Sequence, residues 1–104
     1  MALEIRSPRT AHAAGVRFAE MMRQFPVVKR LWVWAQRDEV EFWLLTEEID
    51  AETEHALHAT GAQLHEWLPG SNVQLHIVNP RRFDTDDPAA LIPAGAEEIS
   101  LHAK

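Results

Sequence analysis

The periodicities of this chain predict an α+β domain: two helices packed on a mixed sheet of three or four strands, in the order α-β-β-α-β with or without a short closing strand. Three observations carry that expectation. An apolar stripe of helical spacing precedes Pro26. Two alternating stretches then follow, separated by a short polar turn. A second helical stretch leads from Asp50 to another alternating run that stops at Asn79-Pro80.

The first helix starts at Ser7-Pro8 or at Thr10, because serine caps a helix N-terminus and proline at the first helical position gives up an N–H that has no partner there. Ala14, Phe18, Met21 and Phe25 recur at spacings of four, three and four and form its inner face, and Pro26 ends it. From Val28 the period falls to two, with Leu31, Val33 and Ala35 on one side and Arg30, Trp32, Trp34 and Gln36 on the other. After Arg37-Asp38-Glu39, Val40, Phe42 and Leu44 alternate with Glu41, Trp43 and Leu45, which predicts an antiparallel hairpin. With Asp38 and Glu39 as the turn, Ala35 faces Phe42, Val33 faces Leu44, Trp34 faces Trp43 and Trp32 faces Leu45. Asp-Glu lacks the glycine that tight hairpin turns favour, so a longer loop or a bulge is the alternative.

Asp50 caps the second helix, and Glu52 and Glu54 in its first turn oppose the positive end of the helix dipole. Leu57, Gly61, Leu64 and Leu68 form its inner stripe, widened by Ala56 and Trp67, before Pro69-Gly70 ends it. Val73, Leu75 and Ile77 then alternate with Gln74, His76 and Val78. A strand–helix–strand unit crosses over right-handed, so this third strand runs parallel to the second. The segment from Arg81 to Gly95 reads as a surface loop with at most a turn of helix from Pro88 to Leu91, and Ile99 and Leu101 suggest a short terminal strand.

The 104 residues suit one domain, and the balance of 46% apolar to 25% charged residues lets a core form without disulfides. No run approaches the roughly 18 apolar residues that span a bilayer. A net charge of -6 repels nucleic-acid phosphates and anionic lipid, so neither is an expected partner. The absence of cysteine excludes thiol chemistry and Cys-based metal sites, and together with a start at Met1 to Arg6 that lacks a secretory pattern it points to the cytoplasm. No cofactor is implied.

Chemistry-bearing residues are few. Ser7, Ser71 and Ser100 sit outside any strained nucleophile elbow, and Gly15, Gly61, Gly70 and Gly95 are isolated, so no phosphate-binding loop is present. His55, His58 and His65 share the second helix, and His55 with His58 is a candidate metal pair that lacks a complete ligand set. His76 alternates into the third strand beside Gln74, and Glu39 and Glu41 are one strand step apart. Asp84, Asp86 and Asp87 make an acidic loop without the glycine and closing glutamate of a calcium loop. The most distinctive feature is aromatic. Trp32, Trp34 and Trp43 share one side of the hairpin, while the other side holds enough aliphatic residues to pack both helices. The tryptophan side is then an interface or a ligand groove, unless one helix covers each face.

The run Val40-Glu41-Phe42-Trp43-Leu44-Leu45-Thr46-Glu47-Glu48 before the second helix, with Val73-Gln74-Leu75-His76-Ile77-Val78-Asn79-Pro80 after it, resembles small nucleotidyltransferase-like domains over about three quarters of the chain. In that family a Gly-Ser turn follows the first strand, two spaced aspartates head the second, and a third acid sits on a later strand. Here Ala35-Gln36 stands in the first place, Glu41 and Trp43 in the second, and His76 or Gln74 in the third. The resemblance therefore implies a degenerate relative that does not transfer nucleotides.

The favoured expectation is a small non-enzymatic domain that forms a homodimer or binds a protein partner through Trp32, Trp34 and Trp43. The alternative is metal-dependent nucleotide binding or transfer through Glu41 and His76.

Overall fold

A computed structural model describes residues 8–83 and 87–101. The chain forms α1 (Pro8–Met22), β1 (Val28–Gln36), β2 (Glu39–Thr46), α2 (Ala51–Gly61), α3 (Gln63–Trp67), β3 (Asn72–Val78) and β4 (Glu97–Ile99). The four strands make one mixed sheet in the order β3-β2-β1-β4, with β2 parallel to β3 and the other pairs antiparallel. The predicted α+β architecture is present, including the fourth strand.

α1 begins at Pro8, and the proposed cap Ser7 lies outside the described residues. Its buried face is Ala11, Ala14, Phe18, Ala19 and Met22; Met21 and Phe25 are only half-buried, so Met22 replaces Met21 on the inner stripe. The helix ends at Met22, ahead of Pro26, and turns at Phe25 lead directly into β1. Phe18 meets Phe42 edge-to-face at 5.9 Å between ring centroids, an arrangement that suits the aromatic quadrupole.

The hairpin register differs from the expected one by two residues. Trp32 pairs with Trp43, Val33 with Phe42, Trp34 with Glu41 and Gln36 with Glu39. The turn is Arg37-Asp38 rather than Asp38-Glu39, and Arg37 takes the left-handed conformation at φ 56°. An even shift preserves the face of every side chain, which is why the pattern of sides was right while the partners were not. A bulge between Val28 and Arg30 absorbs Lys29 at the strand entrance.

Asp50 caps α2 through Oδ1, which accepts from the Thr53 N–H at 2.8 Å. Hydrogen bonding from the Thr53 side chain, and then from this N–H, holds the Asp50 carboxyl below its ordinary range. The second helix is broken at Ala62, so Leu57 and Gly61 are buried from α2 while Leu64 is buried from α3. Both pieces and α1 lie on the aliphatic face of the sheet: a Cβ on Gly15 would stand 2.6 Å from Val33 Cγ2, and one on Gly61 would stand 2.5 Å from Leu75 Cδ2. Arg17 caps the helical layer from outside, its guanidinium 4.8 Å over the Trp67 ring.

β3 and β4 lie at opposite edges, so the chain between Val78 and Glu97 has to cross β2 and β1. The helices already occupy the aliphatic side. Phe83 and Leu91 share a groove with Trp43 and His76, and the Asp87 charge acts on Arg30. The connection therefore runs over the tryptophan side, with single helical turns at Pro80–Arg82 and Pro88–Leu91.

Candidate functional site

Parity places Trp32, Trp34, Glu41, Trp43, Gln74 and His76 on the sheet face opposite the helices. Registers then set the rows: Trp32, Trp43 and His76 lie side by side across three strands, and Trp34, Glu41 and Gln74 form the next row. Trp43 and His76 stack at 4.2 Å between ring centroids with a 25° tilt. The Trp43 Nε1–H donates to Glu41 Oε1 at 3.0 Å, and the same oxygen is 3.6 Å from His76 Nε2. Glu41, Trp43 and His76, far apart in the chain, thus form one cluster.

Within that cluster His76 Nε2 is buried and has no hydrogen-bond partner among the described residues, since 3.6 Å is beyond hydrogen-bond reach. The His76 side chain is 35% exposed. With one face on Trp43 and Nε2 buried, that exposure belongs to the remainder of the ring, toward the groove that His76 lines.

The groove has a volume of about 470 Å³. Its floor is four consecutive residues of β3, Leu75 to Val78, and its walls are His58 of α2, Trp43, Phe83 and Leu91. Consecutive strand residues point to opposite faces, so a groove touching all four runs along the edge of the strand. Few polar groups and many apolar ones line it, the composition of a binding surface rather than of a charged catalytic centre.

The three tryptophans are not equally available. Trp32 is 7% exposed and lies under Arg30, whose guanidinium is 4.6 Å from its ring centre. Arg30 is held there by a bidentate pair to Glu98, both bonds 2.8 Å, which keeps the Glu98 carboxyl below its ordinary range. Trp34 and Trp43 are half-buried and carry what remains of the aromatic surface. Phe83 and Leu91, read in the sequence only as loop residues, add to it at 41% and 40% exposure. No periodicity marks them, because their placement depends on a crossing that the strand order alone imposes.

His55 and His58 sit one turn apart and exposed on α2; His58 turns toward the groove, and His65 is carried away by the break at Ala62. Among the described residues, no group of three or more histidine or carboxylate side chains comes together as a metal site. Asp84 and Asp86 lie outside the described residues. Arg82 and Arg81 bracket the α2 N-terminus, but Arg82 is engaged: it donates to Glu54 at 2.9 and 3.0 Å and holds that carboxyl below its ordinary range.

Comparison with protein-family models, with curated proteins and with solved structures gives no match.

Proposed function

We propose that this chain is a small non-enzymatic domain that associates with another polypeptide through the tryptophan side of its sheet, at the groove walled by Trp43, Phe83 and Leu91. One observation carries the proposal. Of the three large apolar residues most exposed among those described, Val16, Phe83 and Leu91, two line this one groove beside a half-buried tryptophan. Large apolar side chains gathered at one place on a surface are the usual mark of an association site. Sedimentation velocity tests it: the wild-type chain forms a species heavier than its 11.8 kDa monomer, and the double variant Phe83→Ser, Leu91→Ser returns it to the monomer. A wild-type chain that stays monomeric at every concentration removes the self-associating form of the proposal.

A second reading draws on the contact between Glu41, Trp43 and His76. It takes the same groove as a degenerate nucleotide site, with Trp43 and His76 as a stacking platform and Glu41 bonded to Trp43 Nε1 beside it. Titration calorimetry with magnesium and nucleoside triphosphates decides it: no heat excludes nucleotide, whereas heat abolished by His76→Ala supports it.

A further inference from the structure

Arg30 shows how this sheet holds a guanidinium. Trp32 of β1 and Glu98 of β4 are cross-strand partners on one face. The Arg30 guanidinium lies 4.6 Å over the Trp32 ring and makes two bonds of 2.8 Å to Glu98. An indole face and a carboxylate thus close on one cation, which the ring quadrupole and the ionic hydrogen bonds both favour. The next residue of β1 on that face repeats the pair: Trp34 lies opposite Glu41 of β2. Its neighbours on the face are Trp32 and Gln36, so β1 brings no base to it. Trp67 also has a guanidinium over its ring, that of Arg17 at 4.8 Å. Among the described residues no lysine or arginine lies over Trp34 or pairs with Glu41. Glu41 Oε1 accepts from Trp43 Nε1 and faces His76 Nε2, while Oε2 has no hydrogen bond among the described residues.

We infer that Trp34 and Glu41 are the docking site for an arginine of a basic partner polypeptide; the inference rests on the association proposed above and names the partner's chemistry. The charge around the site selects a cation. The two rows at this end of the face hold Trp34, Glu41 and Gln74, then Gln36, Glu39 and Asn72, so both charged side chains are carboxylates. Arginine fits better than lysine, because a planar guanidinium stacks on an indole while its N–H edge bonds a carboxylate. Both groups can be reached: Trp34 is half-buried and the Glu41 side chain is 23% exposed. The site also adjoins the groove, since Trp43 and His76, in the row beside it, line that groove. Adjacent rows are about 7 Å apart, the span of two residues of extended chain. A segment with an apolar residue in the groove therefore sets an arginine two positions away on Trp34 and Glu41. The net charge of -6 draws such a basic segment toward the chain. A second copy meeting the groove at Phe83 and Leu91 is then a competitor for the same surface.

The test titrates the capped peptide Leu-Ser-Arg-Ser-Leu, and its versions with lysine or citrulline in place of arginine, into the wild-type chain, followed by the indole N–H resonances. The arginine peptide should bind. The citrulline peptide keeps the shape without the charge and should bind about tenfold or more weaker, with the lysine peptide in between. Glu41→Gln should reduce the arginine peptide to the citrulline level. Glu20→Gln, at an exposed carboxylate of α1, makes the same change in net charge and should leave binding unaltered. A lysine or citrulline peptide that binds as tightly as the arginine peptide overturns the inference and leaves association through the groove standing. No binding by any of the three also overturns it. Arginine-dependent binding that survives Phe83→Ser with Leu91→Ser upholds the cation site and removes the groove as the place of association. The comparison of the three peptides needs no variant, so it decides even if Glu41→Gln fails to fold.

Discussion

Asn79 is 1% exposed, and its carboxamide joins three segments. Its Nδ2 donates to Ile49 O at 2.9 Å and to Glu54 Oε2 at 3.3 Å, and its Oδ1 accepts from the N–H groups of Ile49 and Arg81. The end of β3 is thereby fastened to the turn between β2 and α2. Asn79→Ala leaves both backbone groups of Ile49 without a partner in a buried setting. The expected cost is roughly 2 kcal/mol, on the order of 10 °C in melting temperature for a domain of this size, read by thermal denaturation. In the sequence Asn79 is legible only as a strand stop before Pro80, because no spacing rule connects it to Ile49, thirty positions earlier. Glu41 and His76 were legible as polar residues on alternating strands. Their contact follows from the parallel pairing of β2 with β3, which the right-handed crossover supplies. Arg37 offers a test in the opposite direction. A residue with a Cβ is strained at φ 56°, so Arg37→Gly should stabilise the hairpin by roughly 0.5–1 kcal/mol in the same assay.

At the scale of elements, α1 sits close on the sheet because Gly15 has no side chain. The helix reads clearly from its apolar stripe, but nothing in that pattern says why a poor helix former stands in its middle. The contact explains it: a Cβ there would be 2.6 Å from Val33 Cγ2 and 3.3 Å from Ile99 Cγ1. Helix propensity alone favours Gly15→Ala by about 1 kcal/mol. Val33 is β-branched and fixed between β2 and β4, so overpacking should win and give a net loss of roughly 1–2 kcal/mol on denaturant unfolding. A net gain would show that α1 can lift from the sheet at little cost. The break at Ala62 and the crossing connection were the least legible elements. The first leaves the apolar spacing of Leu57, Gly61 and Leu64 unchanged, and the second follows from strand order, which depends on pairings between the two ends of the chain. That crossing brings Phe83 and Leu91 beside Trp43, while Arg30 lies over Trp32.

For the molecule as a whole, acid acts through two separate sets of groups. Protonating the six histidines takes the formal charge from -6 to 0, so mutual repulsion between chains vanishes near the isoelectric point of about 5.4. Solubility should fall there with the fold intact. The carboxyls of Asp50, Glu54 and Glu98 respond lower on the scale, since hydrogen bonds from Thr53, Arg82 and Arg30 respectively hold each of them below its ordinary value, 3.8 for Asp50 and 4.5 for the glutamates. A depressed carboxyl binds fewer protons in the folded than in the unfolded state. Its contribution is therefore complete above the ordinary value and is lost as pH falls through the native one. Turbidity should rise near pH 5.4 while far-UV circular dichroism is unchanged, and melting temperature should drop only at pH values below the ordinary glutamate range. Glu54→Gln with Glu98→Gln should lower the melting temperature at neutral pH and flatten its fall in acid, because the pairs with Arg82 and Arg30 are then absent throughout. An acid limb as steep in the double variant as in the wild type would place the pH-sensitive stability elsewhere than in these two arginine–glutamate pairs, which tie the connection after β3 to α2 and β4 to β1.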